Sequence, residues 1–143
     1  MTLNKLKELY WLNCNIPREL QRIAEMEATA STPSAIKYTG MPKSSSGYYQ
    51  SKLENNVMKI QDRRERLERM IAKRDSLQQF IDDTPDSFTR YLLTLRFVDN
   101  MSWKEIAYTL GGRNTEESVK KRCYRYLKGC EDDEQNEGTP AEI

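Results

Sequence analysis

The sequence predicts an all-α protein: a long, coiled-coil-like N-terminal helical hairpin followed by a small three-helix domain. Three observations predict it. Apolar residues recur at spacings of three and four through two long polar stretches, as a helix with one buried face requires. Only 37% of residues are hydrophobic and 31% are charged, a balance that suits elongated helices with narrow apolar seams. The six glycines and five prolines fall mostly between the periodic stretches, where they punctuate the chain.

Residues 3–30 read as the first helix. Leu6, Leu9, Ile16, Leu20, Ile23 and Ala30 form its stripe. Pro17 lacks a backbone donor and crowds the preceding turn, so a kink or a restart is expected near Asn15. Residues 31–47, STPSAIKYTGMPKSSSG, read as a connector whose charges are Lys37 and Lys43. It serves either as a crossover between two helices or as a basic arm. Tyr48–Ile81 reads as a second long helix, with Leu53, Val57, Ile60, Leu67, Ile71 and Ile81 on one stripe that Arg64 and Arg74 interrupt. Such a helix pairs antiparallel with the first or with a second subunit. Its length favours a homo-oligomer, with a dimer first.

A new element begins at DDTPDS. Thr84 is a good N-cap, Pro85 suits the first helical position and Asp86 complements the helix dipole. Leu92, Leu93, Leu95 and Phe97 supply apolar positions, and Asp99–Asn100 ends the element. These signals place a boundary near residues 82–84. They divide the chain into a hairpin over 1–82, a helical domain over 83–128 and a tail over 129–143, which reads as acidic and disordered.

Charge is unevenly distributed along these parts. The last thirteen residues carry six acids and no base, so residues 1–130 hold all 23 Lys and Arg against sixteen acids, a net +7. A basic body with an acidic tail points toward a polyanionic partner. Cys14, Cys123 and Cys130 lack metal-ligand spacing, and there is no histidine to complete a zinc set, so reduced thiols are expected and no metal. The N-terminus has no signal-peptide core, and no window approaches the roughly 18 apolar residues that span a membrane. With no histidine and no phosphate-cradling glycine loop, neither a catalytic site nor a cofactor is expected.

The densest signal lies in Met101–Lys128. Ser102-Trp103-Lys104-Glu105 has capping-box spacing and opens a short helix with Ile106, Ala107 and Leu110 facing inward. Gly111-Gly112 ends it, because glycine reaches positive φ without steric cost. Asn114 or Thr115 caps the next helix, over 115–128. At 100° per residue its Val119, Cys123, Tyr126 and Leu127 share one face. The opposite face holds Asn114, Glu117, Ser118, Lys121, Arg125 and Lys128, flanked by Lys120, Arg122 and Tyr124. Hydrogen-bonding groups near a helix N-terminus followed by cations suit a helix lying in the DNA major groove, which is about 12 Å wide. The candidate DNA contacts are Arg113, Asn114, Thr115, Glu117, Ser118, Lys120, Lys121, Arg122, Arg125 and Lys128.

LLTLRFVDNMSWKEIAYTLGG followed by ESVKKRCYRYLK resembles region four of bacterial sigma factors, and the small phage and prophage regulators that share its helix-turn-helix. Leu93, Arg96, Ser102, Glu105, Ile106, Ala107, Leu110, Gly111, Val119, Lys120, Arg122, Arg125 and Leu127 match the family pattern in order. The match spans residues 86–128, under a third of the chain. TGMPKSSS between two charged helices is similar to the N-terminal halves of regulators from prophages of Gram-positive bacteria. The resemblance implies double-stranded DNA as partner, RNA polymerase as a second partner class, and the cytoplasm of a bacterial host as location. It also implies contacts to DNA from Glu117, Lys120, Lys121 and Arg125. GRNTEES, between Leu110-Gly111 and Val119, is longer than the family's turn, and GRNTEESVKKRCYRYL is also similar to a Myb-type repeat. The chain is too short for a complete sigma factor, so the expected function is sequence-specific transcription regulation of phage or prophage genes. The alternatives are a small-terminase-type packaging protein and an adaptor that docks polymerase without reading DNA.

Overall fold

The computed structural model describes the backbone of residues 1–31 and 46–137, and the side chains of 1–31 and 52–136. Its elements are all helical, with no strand among the described residues. They are α1 (Leu3–Ser31), α2 (Ser46–Asp82), α3 (Ser87–Leu93) continued by a π-helical turn (Thr94–Val98), α4 (Trp103–Leu110) and α5 (Glu116–Glu137). The expected all-α class is therefore the observed one. The connector expected over 31–47 falls largely at residues 32–45, outside the described residues, as do residues 138–143 of the expected tail.

The chain packs as two units, one of Met1–Cys14 with Lys73–Ile143 and the other of Asn15–Ala72. The expected boundary at 82–84 falls inside the first of these units. Leu6 and Leu9 of α1 and Leu77 and Ile81 of α2 join one core with Leu92, Leu93, Leu95, Phe97, Trp103, Ile106, Val119, Cys123 and Leu127. The ends of the two long helices go with the short helices because the largest contiguous apolar surface lies there. Glu8 and Lys73 form an ion pair beside it.

Within this unit the turn into α3 differs from expectation. The N-cap is Asp86, whose carboxylate accepts from Thr89 N at 3.0 Å. Thr84 is instead buried. Its hydroxyl donates to the Phe80 carbonyl at 3.2 Å, and its own carbonyl accepts from Arg90 Nε and Nη2 at 3.0 and 2.8 Å. The π-helical turn follows, with Asp99 N reaching back to the Thr94 carbonyl. It leaves Leu92, Leu93, Leu95 and Phe97 all buried, as expected. Asn100, at φ 55°, then reverses the chain.

In the unit of residues 15–72, Ile16 and Ile23 of α1 and Ile60 and Leu67 of α2 are buried. Glu19 pairs with Arg63 at 2.8 Å, and Glu27 pairs with Arg64. Met26 and Thr29 line a concavity with Asn56. From the Glu19–Arg63 pair to the concavity at Met26, Thr29 and Asn56, rising numbers on α1 meet falling numbers on α2, and the segments run antiparallel. α1 continues unbroken through Pro17, with no restart at Asn15. Burial of Ile16 beside the proline and of Ile23 two turns on offsets the missing bond. Leu20, Ala30, Leu53 and Val57, expected on the buried stripes, are exposed, and Ile71 is half-buried.

α5 runs to Glu137, so the expected disordered tail is helical over 129–137. Glu and Gln are good helix formers despite their polarity. Cys130 and Glu131 are also half-buried, which anchors the first turn of the extension. Among the described residues no helix is long and apolar enough to cross a membrane.

Candidate nucleic-acid interface

α4 begins with both halves of the capping box. Ser102 N donates to Glu105 Oε2 at 2.7 Å, and Glu105 N donates to Ser102 Oγ at 3.3 Å. The bond from the Ser102 amide, and then that from its hydroxyl, holds the Glu105 carboxyl below its ordinary range. Arg96 Nη1 donates to the Met101 carbonyl at 2.7 Å, and its guanidinium lies 4.6 Å from the centre of the Trp103 ring. These contacts fix where α4 starts. Gly111 and Gly112, at φ 63° and 65°, fix where it stops. The Gly111 amide donates to the Ala107 carbonyl at 3.1 Å. A side chain at either glycine would be strained by φ rather than by crowding, since beyond the adjacent residues nothing lies within 4 Å of the position its Cβ would take.

Asn114 then fastens the turn, its Nδ2 donating to the Gly111 carbonyl at 3.0 Å. Thr115 caps α5: its hydroxyl accepts from Ser118 N at 3.2 Å, and Ser118 Oγ accepts from Thr115 N at 2.9 Å. The long GRNTEES segment is thus divided between a loop ending at Thr115 and a first helical turn from Glu116 to Ser118. Val119, Cys123 and Leu127 seal the inner face and Tyr126 is half-buried, as the helical periodicity predicts. Burial pushes the Cys123 thiol up to about 12, so it acts as a small apolar group.

The ten candidate residues separate into three sets. Asn114, Thr115 and Ser118 have polar groups engaged in the turn and cap. Arg122 is drawn to α3: it pairs with Asp86 at 2.8 Å and lies 4.3 Å from the centre of the Phe88 ring. The Thr89 hydroxyl, followed by Arg122, brings the Asp86 carboxyl down to about 2. Arg113, Glu117, Lys121, Arg125 and Lys128 are exposed with no ion pair among the described residues, and Lys120 lies 6.0 Å from the Tyr124 ring centre. Lys121, Arg122 and Arg125 line a concavity of about 600 Å³ with Phe88 and Thr89 of α3 and Asn114 and Ser118.

Sequence reasoning missed α3's part in this surface. Asp86, Phe88 and Thr89 are spaced along one turn, but nothing local says that they meet Arg122, thirty-six residues on from Asp86. Among the described residues no group of three or more His, Cys, Asp or Glu is placed to hold a metal ion. The exposed face of α5 can chemically offer several cations to an extended polyanion, beside a concave edge supplied by α3. Comparison of the chain with protein-family models, with curated proteins and with solved structures finds no match.

Proposed function

We propose that the chain is a sequence-specific DNA-binding transcription regulator of phage or prophage genes, in which α4, the glycine turn and α5 act as a helix-turn-helix. The observation that carries this is the set Arg113, Lys121, Arg125 and Lys128. They are exposed, and without an ion pair among the described residues, on or beside a helix that a capping box and two positive-φ glycines set off from its neighbour. Arg63, Arg64 and Lys73, by contrast, each meet an acid across α1 and α2. A row left open is suited to phosphates, whose neutralisation releases counterions. Glu117 at the first turn and Lys121 one turn on are the side chains in position to reach base edges, with Arg125 and Lys128 on the backbone.

The test is selection of bound sequences from a random duplex pool at physiological salt, followed by titration of the enriched site against salt. A single motif is expected. The Arg125→Ala, Lys128→Ala double variant should lower the slope of log affinity against log salt by about 2. Wild-type binding that ignores salt would reject the proposal.

A further inference from the structure

We infer that Asp86 of α3 is a specificity-determining residue of the α5 surface: it holds Arg122 away from the DNA backbone and repels phosphates from the α3 side of α5. This role rests on the DNA-binding proposal and deepens it. Lys121, Arg122, Arg125 and Lys128 are all exposed on α5. At 100° per residue Lys121, Arg125 and Lys128 fall within an arc of about 60°. Arg122 lies about 60° beyond Arg125, on the side where Tyr126 donates to the Thr84 hydroxyl at 3.3 Å. Of these four cations it alone meets an acid among the described residues.

An exposed ion pair usually gains little, because two mobile side chains must be ordered to form it. Here the acid is ordered already. As the N-cap of α3, Asp86 Oδ2 accepts from the Thr89 amide at 3.0 Å and from the Thr89 hydroxyl, and the same oxygen accepts from Arg122 Nη2 at 2.8 Å. Phe88 supplies a second contact, its ring centre 4.3 Å from Arg122 Cζ, where the ring face attracts a guanidinium. The carboxylate also acts on what approaches. It is bonded to Thr89 and Arg122, two of the residues lining the concavity between α3 and α5, and a fixed negative charge at that edge disfavours a phosphate seated there. Both effects leave the backbone to Arg125 and Lys128. Discrimination between sequences improves when an attraction that every duplex would share is removed.

The test is the salt dependence of binding by the full chain to a random-sequence duplex and to the selected site. Asp86→Asn keeps a good N-cap and loses the charge. On the random duplex its slope of log affinity against log salt should steepen by about 1, because Arg122 becomes free to meet a phosphate. Its ratio of selected-site to random-duplex affinity should fall. Arg122→Ala should keep the wild-type slope although it removes a cation. The double variant should return to the wild-type slope, which a merely structural role for Asp86 would not produce. Arg122→Ala leaves the α3 cap untouched, so it decides the outcome even if Asp86→Asn loses far-UV helicity. A slope shallower by about 1 for Arg122→Ala, or a slope or affinity ratio unchanged in folded Asp86→Asn, would overturn the inference and leave the DNA-binding proposal intact. Wild-type binding that ignores salt would reject both.

Discussion

The two units of this chain are built from the same two long helices and bury them differently. Where the ends of α1 and α2 meet α3, α4 and α5, Leu6, Leu9, Leu77 and Ile81 are covered on several sides and enter a core of thirteen apolar side chains among the described residues. Where, among the described residues, α1 and α2 face each other, Ile16, Ile23, Ile60 and Leu67 are buried, and Leu20, Leu53 and Val57 on neighbouring stripes are exposed. Helical periodicity is similar in both. What differs is the number of layers available to cover it, which sets how many stripes of one helix leave water.

The largest effect that can break this comparison is a matched pair of truncations. Ile106→Ala, in the multi-helix core at 0% exposure, should cost about 3–5 kcal/mol. Ile23→Ala, at 6% exposure in the two-helix layer, should cost about 2 kcal/mol, since its surroundings can close over the gap. Urea unfolding of both variants measures the difference, and equal losses would mean that the two units are equally well packed. A smaller effect sharpens the account of the short helices. Ser102→Ala removes the acceptor for Glu105 N and should cost about 1 kcal/mol, read in the same unfolding assay.

The smallest effect concerns the tie between α3 and α5. The Asp86 carboxyl is brought from an ordinary value of 3.8 to about 2 by Thr89 and Arg122. A lowered folded-state value means that its contribution is complete above the ordinary value and lost as pH falls from there through about 2. The stability gap between the wild type and Asp86→Asn should therefore be constant near neutrality and close below about pH 4, as followed by thermal melts. A gap that persists at about pH 2 would show that the carboxylate charge is not what holds Arg122. The carboxyl is largely solvated, so the gap should be modest at any pH.

Much of the fold is legible in the sequence because its signals are local. The Ser102–Glu105 box, the glycine pair and the α5 inner face each depend on residues within a turn or two of one another. The cap of α3 is ambiguous at that level because Thr84 and Asp86 are both good caps, and burial of Thr84 against Phe80 and Tyr126 decides between them. In the candidate interface, periodicity finds the outward face of α5 but cannot tell which of its groups are already engaged. Asn114, Thr115 and Ser118 close the turn locally, and Arg122 pairs across the fold with Asp86. The acidic segment after Lys128 looks disordered by its polarity, yet its helix propensity and its continuity with α5 carry it to Glu137.

By itself, the sequence determined that the chain is helical, where α4 starts and stops, and which face of α5 is basic. Each of these follows from backbone propensity, capping and helical period, interactions complete within a few residues. Tertiary structure alone decided that the ends of α1 and α2 belong with the C-terminal helices. It also decided that Leu53 and Val57 are open while Leu77 is buried, and that Arg122 is held by Asp86 while Lys121 and Arg125 meet no acid among the described residues. Burial depends on what other surface reaches a side chain, and residues far apart in the chain supply that surface.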